Sequence, residues 1–462
     1  MINCAKNVII GKVFYLKGCD ALVARAKDVL ARPFSMDYLN LVFQGVIVGL
    51  ITGVIVSCFR WIIDHTLQLL FWWYPYLESH LGYVLVYALF LVAISWLLGK
   101  ILKYDLTNLV GSGVPQVEAI LLGQNSYAPW QILWRKFVGG LLAICPGLFL
   151  GREGPCIQMG ACVGQGLAAD VFKTSKKDQQ TLLLAGVAAG LAAAFSAPLA
   201  GVLFMVEEIT TTFKPRVCLT ALAAALSADL MTLVLLGQQP SLAMYIKPFE
   251  GAPNYVFLLI LGIIIGILAY AYQYVLLEQL YVYSKLNFLP QRYHSLIPLL
   301  LTIPLGLWNA KLLGGSHDFI SYVTDMSLTP TDPHALLKLL VLFFIVRFVF
   351  SMVSYGASVP GGIFMPILAL GAVIGCFAGL LGVSAGWLEH SQVLGLILIS
   401  MAAYFGAIEK APFTAIVLLT EMAGSLASVF PLVFVTFIAY TVDTLLGGRP
   451  IYTALREEMY FK

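Results

Sequence analysis

Eleven apolar stretches follow one another along this chain, at 38–59, 82–102, 137–150, 181–206, 217–237, 255–282, 296–308, 337–353, 363–388, 393–408 and 429–446. A helix crossing the hydrocarbon core of a bilayer needs about 20 apolar residues, and several of these stretches fall short or are interrupted by Gly and Pro. Such interruptions mark either helices that stop within the membrane to build a binding site, or ordinary core helices of a large bundle. With 60% hydrophobic and only 11% charged residues in 462, the chain lacks the polar side chains to cover a water-soluble domain. The expected fold class is therefore an all-α polytopic membrane protein.

Formal net charge is only +3, and no Lys/Arg cluster is interleaved with stacking aromatics, so nucleic acid is not an expected partner. Cys4, Cys19, Cys58, Cys145, Cys156, Cys162, Cys218 and Cys376 contain no CxxC pair and lie mostly in apolar sequence. They read as small buried hydrophobes, not as disulfides or metal ligands. The six histidines show no metal-ligand spacing, and no phosphate-binding or hydrolase motif is present, so no metal or cofactor is expected. Residues 1–37 carry six Lys/Arg against three Asp without a signal-peptide pattern. The segment is expected to be a cytoplasmic N-terminal flank, and Arg449, Arg456 and Lys462 argue for a cytoplasmic C-terminus as well.

The chain also resembles itself. APLAGVLFMVEE at 197–208 matches APFTAIVLLTEM at 411–422, 214 residues apart, and GACVG at 160–164 matches GAVIG at 371–375, 211 apart. Similar offsets close to half the length indicate duplication, with a first repeat over about 38–240 and a second over about 250–446. Duplication tests the acids: a purely structural residue is expected twice, a working one need occur once. Glu207 aligns with Glu421, which suggests a structural pair. Glu208 aligns with Met422, and the 211-residue offset carries Glu153 to Phe364 and Arg152 to Ile363. Glu153 and Glu208 thus stand out.

Three short motifs carry the chemistry. In GREGP, residues 151–155, Arg152 and Glu153 interrupt apolar sequence, and Gly154-Pro155 reads as the start of a helix continuing to Val171. Unpaired N–H groups and the macrodipole make such a start attractive to an anion. A charge inside a bilayer costs on the order of 2.5–3.5 kcal/mol, so Glu153 either has a function or simply pairs with Arg152 at the membrane surface. GSGVPQVE, 111–118, offers the Ser112 hydroxyl and following amides as a neutral cradle for an ion, with Glu118 nearby, or is only a turn. SVPGGIFMP, 358–366, leaves the amides of Ile363 and Phe364 free in front of an apolar helix, or is a flexible joint. Tyr452 offers a phenolic donor, or belongs to an interfacial aromatic belt. Lys136 is either an internal cation near the anion path or snorkels to the interface.

GSGVP, GREGP and GGIFMP in this order, followed by a tyrosine after the last apolar run, resemble the signature of the CLC family of chloride channels and proton/chloride exchangers over about residues 38–456. The resemblance implies an inverted repeat of tilted, partly discontinuous helices and a homodimer with one pore per subunit. It implies that Ser112, Tyr452 and the amides of Ile363 and Phe364 hold chloride, and that Glu153 is the gating and proton-transfer glutamate. Glu208 matches the internal proton glutamate of the exchangers, and serine at position 112 matches chloride selectivity. Arg152, Gly154, Lys136 and Glu118 are supporting candidates. Gln116 and Ala357-Ser358-Val359 depart from the bacterial pattern, and the chain after residue 456 leaves no room for regulatory nucleotide-binding domains.

The expectation is a proton-coupled chloride antiporter of a bacterial cell membrane, moving chloride against protons without a cofactor. Its rivals are a passive chloride channel with the same pore and a membrane-embedded enzyme using Glu207 and Glu208 as paired carboxylates.

Overall fold

The computed structural model describes residues 36–237, 249, 251–328, 333–424 and 429–461. Most of the basic N-terminal flank and Lys462 lie outside them. The first half contains α1 (Met36–Ser79), α2 (Val84–Leu102), α3 (Leu106–Leu109), α4 (Val114–Leu121), α5 (Pro129–Ile144), α6 (Glu153–Gly166), α7 (Lys176–Phe195), α8 (Pro198–Phe204) and α9 (Pro215–Leu236). The second contains α10 (Ala252–Ser284), α11 (Leu296–Asn309), α12 (His317–Leu328), α13 (Pro333–Gly356), α14 (Phe364–Ser384), α15 (Val393–Glu409), α16 (Pro412–Ala423), α17 (Val429–Leu445) and α18 (Ile451–Phe461). Among the described residues, eight helical segments are long and apolar enough to cross a membrane. Leu85, Leu89, Phe90, Ile264, Val234 and Phe430 are exposed on the outside of the bundle, as a lipid-facing surface requires.

The first helix departs from the sequence expectation. The apolar run ends at residue 59, yet α1 continues without interruption to Ser79, for 44 residues. At about 1.5 Å per residue it is roughly 66 Å long, far more than the hydrocarbon thickness. The charges that end the apolar pattern are half-buried and find partners within the protein. Arg60 donates to the Ala193 carbonyl at 2.5 Å, and Asp64 receives Arg152 at 2.5 Å.

The centre consists of α6, α7, α14 and α15, and small residues set their spacing. A β-carbon on Gly160 would lie 2.1 Å from the Gly186 carbonyl oxygen, and one on Gly164 would lie 2.1 Å from that of Leu182. In the second half, Gly371 faces the Ser400 oxygen at 2.9 Å and Gly375 that of Leu396 at 2.4 Å, by the same measure. Backbones approach this closely only where the side chain is absent. The matched GACVG and GAVIG segments are therefore the same helix-helix contact built twice.

The 181–206 apolar run is not one helix. It breaks at Ser196, which is left-handed at φ 55°, and restarts at Pro198; α15 breaks likewise at Lys410, φ 61°, and restarts at Pro412. Proline supplies the first-turn φ and removes an amide that would have no partner. The two restarted helices cap each other across the halves. Glu207 accepts from the Phe413 amide at 3.1 Å, the Thr414 amide at 2.7 Å and the Thr414 hydroxyl at 2.8 Å. Glu421 accepts from the Leu199 amide at 3.1 Å and the Ala200 amide at 2.8 Å. Each carboxylate satisfies free N–H groups of the other half's helix, where the macrodipole also favours negative charge. The structural pairing read from the repeat is thus physical.

The six described cysteines form no disulfide. Cys156, Cys162, Cys218 and Cys376 are buried as expected, whereas Cys58 is exposed on α1.

Candidate functional site

The three motifs, separated by up to 250 residues, meet at one place. The Gly111 amide donates to Val359 at 2.9 Å and the Gly361 amide to Gly111 at 3.1 Å; Gly151 and Gly362 exchange amide-carbonyl bonds of 2.7 and 2.8 Å. These short bridges align the N-termini of α4, α6 and α14. Gly113, left-handed at φ +92°, turns the chain into α4, and the Val114 amide donates to the Ser112 hydroxyl at 3.3 Å. The start of α6 rests directly on Ser112, since a β-carbon on Gly154 would lie 2.6 Å from that of Ser112. Gly154 is a packing requirement of the site.

Ser112, Glu153, Phe364 and Tyr452 are all completely buried, and Ile363 is nearly so. Tyr452 is therefore no interfacial belt residue. Its ring meets that of Phe204 edge-on at 6.5 Å, Phe204 lies 6.2 Å from Phe364, and Phe364 packs on Phe405 at 4.1 Å and Phe195 at 5.0 Å. This aromatic wall keeps water away from the first-turn amides of α14, which have no intrahelical acceptor. Among the described residues the Tyr452 hydroxyl closes no hydrogen bond of ordinary geometry. The Tyr355 hydroxyl lies against Ser112, a residue the motif reading did not include.

Glu153 is the first residue of α6, and among the described residues neither of its carboxylate oxygens accepts a hydrogen bond. One oxygen fills the space beside Gly151, where a β-carbon would lie 3.1 Å from the Met365 amide. Simple pairing of Arg152 with Glu153 at a surface does not occur. The Arg152 guanidinium is committed to Asp64, and its nearest nitrogen lies 4.0 Å from Glu153. Instead the His317 Nε2 approaches a Glu153 oxygen at 3.5 Å. His317, Asp318, Arg152 and Asp64 line a small depression. The sequence held no local signal for His317, whose position beside Glu153 comes from the α11–α12 connection.

The supporting candidates act on the frame. Lys136 does not snorkel: it is fully buried and donates to the carbonyls of Leu109 at 3.0 Å and Gly111 at 2.8 Å. Its charge thus sits one residue from Ser112 and fixes the turn that presents it. Gln116 donates to the Thr107 and Val110 carbonyls, both at 2.9 Å, and holds the same turn. Glu118 pairs with Arg456 at 3.2 Å, tying α4 to the helix that carries Tyr452. Ser112, Gln116, Tyr355 and Ser358 open onto a cavity of about 760 Å³.

Glu208 is buried on a π-helical turn following α8. It is not among the residues lining that cavity. Its neighbours are acids: Glu409, Glu118 and Glu207. Glu409, at the end of α15, was absent from the sequence reading. The repeat held a signal for it, since the 214-residue offset places Phe195 at its counterpart.

A chain of discontinuous helices whose N-termini converge around buried hydroxyls, with a buried carboxylate at the junction, belongs to the class of ion-transporting membrane proteins. Residues 90–444 match the family described as voltage gated chloride channel. The chain is 30% identical to the H(+)/Cl(-) exchange transporter ClcA of Vibrio cholerae, covering 94% of this chain and 93% of the relative. It is 32% identical to the ClcA of Vibrio parahaemolyticus, over 92% and 89%. Among solved structures it resembles a slow cyanobacterial Cl-/H+ antiporter with TM-score 0.82 and 28% identity, over 91% of this chain and 98% of that one. A eukaryotic CLC transporter has the same fold at TM-score 0.76 and 21% identity, over 92% of this chain and 74% of that one. The chain belongs to the CLC family of voltage gated chloride channels.

Proposed function

We propose that this protein is a proton-coupled chloride antiporter in which Ser112, Tyr452 and the Ile363 and Phe364 amides bind chloride, and Glu153 competes with chloride for the same space. One observation carries the reading: the Glu153 carboxylate lies at the junction of three helix starts and, among the described residues, accepts no hydrogen bond. Donors that attract a carboxylate attract a halide equally, so the ionised side chain and chloride exclude one another. Protonation removes the charge and frees the site, which couples one ion to the other. Glu208, which is not among the residues lining the Ser112 cavity, would supply the protons.

The similarity to proteins named H(+)/Cl(-) exchange transporters supports exchange over a passive channel. The enzyme reading loses its paired carboxylates, because both oxygens of Glu207 are occupied as a helix cap. The resemblance further supports a homodimer in a bacterial cell membrane, and the basic flanks support two cytoplasmic termini. The reciprocal caps support a division into repeats over about 38–240 and 250–446.

The test is flux in proteoliposomes. A chloride gradient should drive proton movement, and Glu153→Gln should abolish proton movement while chloride flux continues. A reversal potential that ignores an imposed pH gradient would identify a channel, and undiminished proton pumping by the variant would remove Glu153 from the mechanism.

A further inference from the structure

Another acid, Glu409, adjoins both Glu208 and Tyr452. Glu409 is completely buried, and neither carboxylate oxygen has a hydrogen-bond partner among the described residues. The adjoining cation is turned away: Lys410 is left-handed, and its ammonium binds Asp443 and the Thr444 hydroxyl, at 2.7 Å for the latter. Arg456 is held by Glu118. The groups that face Glu409 come from five other elements: Tyr452 on α18, Glu208 on the turn after α8, Glu118 on α4, Tyr272 on α10 and Tyr355 on α13. Among the described residues the hydroxyls of Tyr452 and Tyr272 likewise close no hydrogen bond of ordinary geometry. A buried carboxyl without a cation is costly unless it holds a proton or meets water. An isolated structural acid would be expected to have secured a donor, as Glu207 and Glu421 did.

The repeat adds an independent argument. Glu409 and Phe195 are the last residues of corresponding helices, each followed by a left-handed residue, alanine and proline. Phe195 packs against Phe364 at 5.0 Å and approaches the His317 ring at 6.5 Å, so this position faces the site in the first half also. The symmetric framework accommodates an aromatic ring there. An acid in its place is not required by the fold.

We propose that Glu409 is a further proton-transfer residue, passing protons between Glu208 and the Tyr452 end of the anion site. The Glu409 carboxylate accepts the proton given up by the Glu208 carboxyl. Once neutral, it passes that proton to the Tyr452 oxygen as Tyr452 releases its own toward Glu153. The first step moves one proton and the second moves two in concert, one onto Tyr452 and one off it, and no other bond changes.

This rests on the antiport reading, and the experiment separates the two. Proton and chloride fluxes are measured together in proteoliposomes holding the parent, Glu208→Gln, Glu409→Gln and Glu409→Asp, with chloride binding to each purified variant measured by calorimetry. The expected result is a proton flux about tenfold or more lower in Glu409→Gln, the scale of a lost proton-transfer group, with chloride flux and binding retained and partial recovery in Glu409→Asp. Parent-level proton-to-chloride coupling in Glu409→Gln, alongside loss in Glu208→Gln, would overturn the role of Glu409 and leave antiport standing. Equal loss of both fluxes and of chloride binding in Glu409→Gln and Glu409→Asp would overturn it also, as the signature of a structural residue. A parent without proton flux would instead sink the antiport reading itself.

Discussion

In the first half, α7 ends at Phe195, turns left-handed at Ser196 and restarts at Pro198; in the second, α15 ends at Glu409, turns left-handed at Lys410 and restarts at Pro412. The geometry is repeated, and so is the acid that secures it: Glu207 caps the second half's helix and Glu421 the first's. The residues facing the centre are not repeated. Glu153 corresponds to Phe364, Glu208 to Met422 and Glu409 to Phe195. Where the halves hold each other together they obey one rule, because both helix starts present the same unpaired amides. Where they face the central junction they differ, because an acid and an apolar wall do different things to a charge.

The largest departure is expected from breaking an asymmetric element of the frame. Gly154→Ala would place a β-carbon 2.6 Å from that of Ser112, pushing α6 away from α4. Displacement on the scale of 1 Å costs about 100-fold, so chloride efflux from vesicles should fall by that order. Full efflux would show that α6 need not rest on Ser112. A symmetric break should be milder and equal on both sides. Glu207→Gln and Glu421→Gln each weaken one carboxylate cap, with an expected loss of about 1 kcal/mol. Thermal unfolding should report similar shifts for both, with the proton-to-chloride ratio unchanged; a changed ratio in one alone would move that residue from frame to mechanism. The smallest effect should come from His317→Ala. This partly exposed contact to Glu153 is worth up to about 1 kcal/mol, so exchange should change by no more than a few-fold. Exchange rates indistinguishable from the parent would leave His317 without influence on Glu153.

Much of the site was legible because its parts are local. Ser112, Gly154 and the Ile363 and Phe364 amides sit in turns whose Gly and Pro residues dictate helix starts, and a helix start attracts anions wherever it lies. Glu153 was conspicuous because charge is rare in apolar sequence. The length of α1 was not legible, since Arg60 and Asp64 look like chain exiting a membrane until Ala193 and Arg152 are seen to receive them. Lys136 was ambiguous for the same reason. A lysine that snorkels and one that holds carbonyls at 3.0 and 2.8 Å have the same sequence context.

By itself the sequence determined the membrane class, the duplicated plan and the acids without a counterpart, because hydropathy, turn chemistry and repeat comparison need only neighbouring residues or a fixed offset. Tertiary structure decided which charges are spent on the frame. Arg152 goes to Asp64, Glu118 to Arg456, and Glu207 and Glu421 to each other's helices. Among the described residues it left Glu153 and Glu409 without hydrogen bonds. The reason is physical: a charge takes its meaning from the partner within a few ångströms, and here those partners come from elements far apart in the chain.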